Sequence, residues 1–290
     1  MKIPVLNIQN FRESKRMNEV YVNSFSRHLE FNRCLIDKPH SHDFYLCVLF
    51  LEGTGTHEVD FKTYRIGPGR VFFLKPGQTH YWKFDTKPEG IIFFHSQAFY
   101  NLRFLGHSLS IFPFYGSQQN PPMLKVPTSE IPVLQMKFQE AIAEYRDNRM
   151  MREIKILGLI NDIYIQLSRI YASQIDLDHI NYTQSTALLD RLEILIDKNF
   201  KEEKLPKFYA EQLNITTKHL NRVVKQTVNK TTTELISERV VLEAKRLIVH
   251  SKHNLADVAY ALEFSDYAYF SKYFKARTGI TPKAFQESYK

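Results

Sequence analysis

A chain of 290 residues is too long for one ordinary hydrophobic core and has the length expected of two domains. Hydrophobic residues make up 43% and charged residues 24%, which is typical of a soluble globular protein, and no apolar run approaches the roughly 20 residues that cross a bilayer, so a membrane-inserted protein is excluded. The net charge of +8 suits a polyanionic partner without establishing one, since many basic proteins bind no nucleic acid.

The two cysteines and the N-terminal residues indicate the compartment. Cys34 and Cys47 do not form a CxxC pair, and we interpret both as reduced and buried. Met1–Asn10 lacks the basic start and the continuous apolar stretch of a signal peptide. We therefore expect a cytoplasmic protein that is neither secreted nor inserted in a membrane.

Residues 33–99 have the pattern of short β-strands separated by turns that contain glycine or proline. The predicted strands are Phe44–Leu51, Gly55–Phe61, Arg70–Leu74 and Gly90–Phe94. Short strands at this even spacing predict an antiparallel barrel or sandwich. We place the first domain at residues 1–128, and residues 1–30 form an N-terminal arm that is a candidate lid over the barrel.

Residues 129–173 change to the spacing of amphipathic helices. Apolar side chains recur every three or four residues, most clearly from Ile154 to Ile170, and Arg146–Asn148 separates two helices. An apolar helical seam suits a two-fold dimer, so we predict that this pair of helices mediates a homodimer. The polar residues 174–186 follow as the predicted linker between domains.

Residues 187–290 are predicted to be entirely helical and contain an internal repeat. When Phe208–Val228 is set beside Val258–Thr278, similar residues match at an offset of 49 before the turn and 50 after it. The matched pairs are Ala210 with Ala259, Leu213 with Leu262, Ile215 with Phe264, Val224 with Phe274 and Lys225 with Lys275. Each unit has the pattern of a helix, a tight turn and a longer helix that projects outward. Asn214 tolerates the left-handed backbone that such a turn needs.

A strong helix-forming segment, Thr232–Val249, lies between the two units. At 1.5 Å per residue its 18 or so residues span roughly 27 Å. Two outward helices joined by such a rod could enter successive major grooves on one face of DNA, about 34 Å apart. This spacing explains why a DNA-binding domain would contain two such units.

From Leu188 to Ser288 the chain resembles the AraC/XylS family of bacterial regulators. The residues that carry the resemblance are Leu255–Ala259, Phe264–Asp266, Tyr269-Phe270, Phe274-Lys275 and Thr278–Pro282. Gly279 and Pro282 suit a chain turn and the start of a short closing helix. The sequence departs from the family at Glu263, where glycine usually precedes the phenylalanine, and at Asn229, where glycine is frequent.

This resemblance implies which residues face DNA. In the first unit they are Lys218, Asn221 and Arg222, and in the second they are Tyr267, Ala268, Tyr269 and Lys272. Arginine can pair with guanine, asparagine with adenine, and lysine with phosphate or guanine. Thr216, Thr217 and Ser265 lie at helix starts, where hydroxyls cap helices and can contact phosphate. The alternatives are that the two lysines are ordinary solvated residues and that the two tyrosines pack internally.

Three histidines mark the barrel. His40-Ser41-His42 precedes a strand and His80 follows one, and this arrangement resembles the two halves of a cupin motif. Leu46 and Cys47 stand where metal-dependent cupins supply a glutamate ligand. Three interpretations stay open: a three-histidine metal site, histidines that only hydrogen-bond at the barrel mouth, or a pocket in which His40, His42, Tyr45, His80 and Trp82 bind a small polar molecule. We predict the pocket, with no metal and no cofactor.

Together these patterns predict the α+β class, with a cupin-like antiparallel barrel, a helical pair, and an all-α domain of two helix-turn-helix units at residues 187–290. The predicted function is sequence-specific transcription regulation, not catalysis, by a homodimer that binds promoter DNA and a small-molecule effector, with RNA polymerase as a further partner. One alternative is a metal-binding cupin enzyme with an accessory DNA-binding domain. A third hypothesis makes the barrel a pure dimerisation or interaction module.

Overall fold

A computed structural model describes residues 4–11, 17–101, 109–116, 120–174, 184–250 and 254–288 of the chain. The strands in these ranges are β1 Val5–Leu6, β2 Val20–Ser24, β3 Ser41–His42, β4 Tyr45–Glu52, β5 Gly55–Val59, β6 Lys62–Ile66, β7 Arg70–Leu74, β8 His80–Phe84, β9 Glu89–His95 and β10 Met123–Lys125. The helices are α1 Phe25–Ile36, α2 Gln97–Asn101, α3 Pro113–Gly116, α4 Ile131–Arg146, α5 Arg152–Gln174, α6 Gln184–Asn199, α7 Pro206–Gln212, α8 Thr217–Val228, α9 Thr232–His250, α10 Leu255–Ala261, α11 Tyr267–Thr278 and α12 Pro282–Glu287. The described residues up to 174 form one compact unit and those from 184 onward form another.

Two antiparallel sheets form the first unit. One sheet has the strand order β10-β7-β4-β9-β2 and the other has the order β6-β5-β8, while β1 and β3 form a separate parallel pair. The α+β class and the antiparallel N-terminal sheets predicted from the sequence are confirmed. The sequence patterns did not predict β2, β6 or β8. Strands β6 and β8 carry polar or charged residues at exposed or half-exposed positions, whereas β2 is short and almost entirely buried.

Strand β4 explains how the first unit is layered. Leu46, Val48 and Phe50 pack with residues of the three-stranded sheet such as Trp82, whereas Cys47 joins a second core that includes α4 and α5. Alternate side chains of a strand point to opposite faces, and here both faces are buried. This is why the segment is almost continuously apolar.

Helices α4 and α5 cover the outer face of the five-stranded sheet. Phe93 of β9 lies 5.4 Å from Phe138 of α4 and 5.6 Å from Tyr164 of α5, measured between ring centroids. The two helices were predicted in this region, with a short connection between them. Cys47 is buried, as predicted, but Cys34 is exposed on α1, so the prediction that both cysteines are buried was wrong for Cys34.

The second unit consists of α6 to α12. Arg239 of α9 binds Asp197 of α6 (Nε to Oδ1, 2.6 Å) and Glu243 of its own helix (Nη1 to Oε2, 3.0 Å), and its guanidinium lies 4.0 Å from the ring centroid of Phe200. These contacts fix the rod-like helix α9, which was predicted at 232–249. Most of the predicted linker, residues 174–186, lies outside the described residues. No described helix is long and apolar enough to cross a membrane.

Candidate functional sites

The helix pairs α7–α8 and α10–α11 share one backbone arrangement at their turns. The N–H of Ile215 donates to the carbonyl of Ala210, and the N–H of Phe264 donates to the carbonyl of Ala259, both at 3.0 Å. Both alanines are almost completely buried. A side chain larger than alanine would separate the two helices of each pair, so the repeat in the sequence corresponds to a repeat in structure.

Left-handed residues occupy equivalent places in the two pairs. Asn214 (φ 56°) and Glu263 (φ 54°) lie in the turns, while Asn229 (φ 53°) and Gly279 (φ 81°) end α8 and α11. Asparagine and glycine adopt this conformation readily, and glutamate does so only at a cost. The unusual Glu263 therefore keeps the same turn geometry as the first pair.

The extra residue of the second pair is Ser265. Thr216 caps α8, since its Oγ1 accepts a hydrogen bond from the N–H of His219 at 3.1 Å. The equivalent cap of α11 is Asp266, whose Oδ1 accepts from the N–H of Tyr269 at 2.7 Å. Ser265 was expected to cap this helix, but it lies one residue too early and donates instead to Asp266 (3.2 Å).

Helix α8 presents basic side chains to solvent. Lys218 and Arg222 are exposed, and Thr217 is half-buried. The guanidinium of Arg222 donates a hydrogen bond to Nδ1 of His219 at 3.0 Å. Sequence reasoning missed His219, although its place three residues before Arg222 puts both on one helix face.

Asn221 of α8 has a structural contact as well as its predicted contact with DNA. Its Oδ1 accepts a hydrogen bond from the N–H of Thr232, the first residue of α9, at 2.9 Å. Bidentate pairing with adenine uses both the oxygen and the nitrogen of an asparagine amide. In this structure the oxygen is already engaged, because it satisfies a backbone donor at the start of α9.

Helix α11 presents a different surface. Ala268, Tyr269 and Lys272 are exposed, and Tyr267 is half-buried. The ring of Tyr269 lies 5.6 Å from that of Phe264 between centroids, yet the residue remains 55% exposed. All three exposed residues therefore reach solvent, and their contact with DNA stays a prediction.

A cluster of four histidines lies between the two sheets of the first unit. His40, His42 and His80 come together as predicted: the ring centroid of His80 is 4.4 Å from that of His40 and 5.1 Å from that of His42. His57 of β5 is the fourth member, and its Nε2 lies 3.0 Å from Nδ1 of His80. All four are buried.

Sequence reasoning missed His57, although a signal for it exists. His57 and Val59 alternate with polar residues along β5, so they share the buried face of that strand. His57 is also directly paired with Trp82 of β8 in the sheet register. The pairing of β5 with β8 brings a histidine of one strand next to the indole of the other.

Tyr45 does not join the histidines. It packs against the other core, where its ring lies 5.8 Å from that of His95 and 5.0 Å from that of Tyr115 between centroids. The reason is strand alternation: Tyr45 and Leu46 are adjacent in β4 and point to opposite faces, and Leu46 points toward the histidine side. The structure therefore does not group Tyr45 with the other predicted pocket residues.

The hydrogen bonds of the histidines define their tautomers. Nδ1 of His40 donates to the carbonyl of Lys38 (2.9 Å), and Nδ1 of His42 donates to the carbonyl of Phe44 (2.8 Å). Burial, together with the nearby His40, lowers the pKa of His42 to about 3, and burial also lowers the pKa of His40. Both rings are therefore neutral at pH 7, and the Nε2 atom of each is an acceptor.

Four buried nitrogens of this cluster have no hydrogen-bond partner in the described structure. They are Nε2 of His42, Nδ1 of His57, Nε2 of His80 and Nε1 of Trp82. A buried polar group without a partner costs about 1–3 kcal/mol, so a cluster of four calls for a polar partner such as a ligand or ordered water. The Nε1 of Trp82 can only donate, and Nε2 of His42 can only accept.

The cluster does not have the arrangement of a metal site. Within the described ranges, no group of three or more His, Cys, Asp and Glu residues is placed to hold a metal ion. His57 and His80 instead direct ring nitrogens at each other. The three-histidine metal interpretation gains no support from this geometry.

Aromatic residues of the N-terminal segment lie against the cluster. The ring of Phe25, at the start of α1, is 5.4 Å from Trp82 between centroids, and Phe11 lies 5.8 Å from Phe44, whose ring stacks on that of His42 at 4.3 Å. Residues 12–16 of the predicted arm lie outside the described residues. Its described part forms β1, β2 and α1, and it covers one side of the histidine cluster.

Comparison with known proteins assigns both regions. A family model described as "Helix-turn-helix domain" matches residues 209–288, and one described as "AraC-like ligand binding domain" matches residues 35–95. Among curated proteins, the HTH-type transcriptional activator RhaS of Escherichia coli is 25% identical over 254 residues, which cover 86% of this chain and 87% of that protein. RhaS of Salmonella arizonae is 23% identical over 252 residues, with the same coverage of both chains.

Among solved structures, ToxT from Vibrio cholerae is 14% identical, with a TM-score of 0.43 over 93% of this chain and 98% of that chain. The C-terminal domain of AraT from Geobacillus stearothermophilus is 22% identical, with a TM-score of 0.34 over 37% of this chain and 88% of that chain.

Proposed function

The chain belongs to the AraC/XylS family of DNA-binding, ligand-sensing transcription regulators, and we propose that it contacts two sub-sites on promoter DNA with α8 and α11. The observation that carries this proposal is the repeated pair of helices, each with a buried alanine at the crossing and an outward second helix. Helix α9 joins the pairs with 19 residues, about 28 Å at 1.5 Å per residue. That length suits two successive major grooves on one DNA face.

The contacts differ in chemistry between the helices. Arg222 and Lys218 of α8 and Lys272 of α11 supply positive charge on exposed surfaces. Phosphate contacts give affinity and orientation, whereas contacts with base edges give sequence preference. The hydrogen bond that Arg222 donates to His219 supports the assignment of Arg222 to a base edge, because it holds the guanidinium in a defined direction.

The effector site is the histidine cluster. The four unpartnered nitrogens and the neutral rings of His40 and His42 favour a small, uncharged, polar molecule with groups that both donate and accept hydrogen bonds. His40, His42, His57, His80 and Trp82 form this site, and Tyr45 does not. Binding there changes DNA affinity only if the effector prefers one state of the chain over another.

The homodimer interface is the exposed side of α4 and α5. Val133 (42% exposed), Met136 (61%) and Ile165 (37%) are apolar side chains in contact with solvent on these helices. A groove of about 500 Å³ runs between the helices, with Val133 and Ile165 among its lining residues. Exposed apolar side chains on these two neighbouring helices favour association with a second copy.

The chain acts by binding and not by catalysis. The curated relatives named above are transcriptional activators. By analogy with these activators, activation is the proposed outcome, and RNA polymerase is the proposed further partner.

Selection of bound sequences from a random DNA pool tests the proposal. The full-length chain is compared with Arg222→Ala and Lys272→Ala. The expected motif has two sub-sites about one helical turn apart, and each substitution relaxes the preference in only one of them. Affinity falls steeply with salt because phosphate contacts release counterions. Failure to select any motif at moderate salt, with or without added metabolites, would contradict the proposal.

A further inference from the structure

The two outward helices can be superposed residue by residue. Their N-terminal caps, Thr216 and Asp266, each accept a hydrogen bond from the backbone three residues later, and both helices run for 12 residues to a left-handed C-terminal cap. The buried positions correspond at the same offset of 50: Leu220 with Phe270, Val223 with Tyr273 and Val224 with Phe274. The outward positions therefore correspond as well.

The corresponding outward residues have opposite chemistry near the helix N-termini. The positions of Lys218 and His219 in α8 are taken by Ala268 and Tyr269 in α11. Farther along, basic residues occupy corresponding exposed positions in both helices, Arg222 with Lys272 and Lys225 with Lys275. The first helix thus presents nitrogen donors along its N-terminal half, and the second presents a methyl group and an aromatic ring that carries one hydroxyl.

Tyr269 is held in its outward position. Its ring rests against Phe264, at 5.6 Å between centroids, while 55% of the residue is exposed. Its backbone N–H is fixed by the Asp266 cap. Ala268, the preceding residue, is also exposed. Each offers apolar atoms to solvent, the methyl group of Ala268 and the ring of Tyr269, where the counterpart helix carries Lys218 and His219.

Thymine carries the one methyl group on the base edges of the major groove, and alanine and aromatic side chains contact it. We infer that Ala268 and Tyr269 make the second sub-site specific for thymine through its 5-methyl group, whereas α8 recognises the first sub-site by hydrogen bonds. This inference rests on the proposed function, since it assigns a chemistry to one of its two sub-sites. It makes Ala268 and Tyr269 specificity-determining residues.

The test replaces thymidine by deoxyuridine, which lacks only the methyl group. The selected motif is synthesised with uracil in place of every thymine of one sub-site at a time, and the Kd of the full-length chain is measured. The sub-sites are assigned by the effects of Arg222→Ala and Lys272→Ala on base preference. Uracil in the second sub-site is expected to weaken binding about fourfold for each contacted methyl group. Uracil in the first sub-site is expected to change it less than about twofold.

Two substitutions exchange the side chains at one pair of corresponding positions in α8 and α11. Ala268→Lys copies Lys218 and should reduce the sensitivity of the second sub-site to uracil by the share that the Ala268 methyl group contributes, while the matched control Lys218→Ala should leave that sensitivity unchanged. The experiment on the unaltered protein does not depend on how these variants fold. Equal sensitivity of both sub-sites, or a second sub-site with no preferred thymine, would overturn the inference but leave the proposed function standing. Absence of any sequence-specific binding would overturn both.

Discussion

Glu263 and Asn214 adopt nearly the same left-handed backbone, with φ of 54° and 56°, at equivalent turns of the two helix pairs. The backbone N–H of each residue donates a hydrogen bond to the carbonyl three residues earlier: Glu263 to Tyr260 (2.9 Å) and Asn214 to Glu211 (3.0 Å). Equal geometry from unequal residues means that the turn is imposed by the surrounding helices. The strain is larger at Glu263, because its side chain disfavours this conformation.

Replacement of Glu263 by glycine is expected to stabilise the second unit. Removal of the left-handed strain is worth about 1–2 kcal/mol, and the added freedom of glycine in the unfolded chain offsets part of it, which leaves about 0.5–1 kcal/mol. Urea unfolding of the full chain, followed by far-UV circular dichroism, measures this change. Asn214→Gly is the matched control and should change stability less, since asparagine already tolerates the conformation.

The single tryptophan provides an internal reference for this measurement. Trp82 belongs to the first unit, so its fluorescence reports on the barrel and not on the altered turn. The fluorescence transition should stay in place while the helical transition moves to higher urea. A helical transition that moves to lower urea for Glu263→Gly would show that the glutamate side chain contributes more than its backbone strain costs.

His219 is expected to support the DNA contact of Arg222. A hydrogen bond to a charged group on an exposed surface is worth about 0.5–1.5 kcal/mol, so His219→Ala should weaken binding by about two- to tenfold. The substitution should relax preference at the same base as Arg222→Ala. The double variant tests the mechanism: its loss of affinity should be smaller than the sum of the two single losses. Additive losses would mean that His219 acts independently of Arg222.

The proposed dimer depends on the exposed apolar side chains of α4 and α5. Ile165→Lys places a charge at a half-exposed groove residue and is expected to shift the chain from dimer to monomer in sedimentation velocity, with little change in unfolding. Met150→Lys is the control, because Met150 is 88% exposed and lies between the two helices in sequence, outside the residues that line the groove. If both variants remain dimers, this face is not the dimer interface.

The repeat of the second unit could be predicted from sequence because helix pairs of this kind are local. The buried alanines, the turns and the caps all lie within about 20 residues of each other, so their spacing is visible along the chain. The cap at Asp266 was missed because the extra residue, Ser265, has an equally suitable hydroxyl. Only the backbone shows which of the two residues caps α11.

The histidine cluster could be predicted only in part, because it depends on contacts between distant strands. His40, His42 and His80 were found from a motif, whereas His57 joins them through the pairing of β5 with β8. The prediction that Tyr45 belongs to the pocket was wrong. Alternation along β4 divides its side chains between two faces, but the sequence does not show which face is directed at the histidines. Because both faces of that strand are buried, hydrophobicity does not distinguish the face directed at the histidines from the other.

The buried histidines predict that the first unit loses stability in acid. Burial, with a smaller contribution from the nearby His40, lowers the pKa of both His28 and His42 to about 3, and burial lowers that of His95 to about 4. Each ring is neutral in the folded chain, whereas the unfolded chain binds a proton near pH 6.5. The unfolded state therefore binds more protons between these values, and stability falls as pH decreases from about 6.5 toward 3.

The expected size follows from this linkage. When the pKa of one histidine falls from 6.5 to about 3 on folding, the free energy of unfolding decreases by about 2 kcal/mol between pH 7 and pH 5. Urea unfolding followed by Trp82 fluorescence at these two pH values measures the total for the barrel. His42→Gln removes one titrating ring, so its stability should depend less on pH than that of the unaltered chain, even if it is less stable at pH 7. A pH dependence unchanged in His42→Gln would show that His42 takes up no proton on unfolding, and that its ring is not held neutral in the folded barrel.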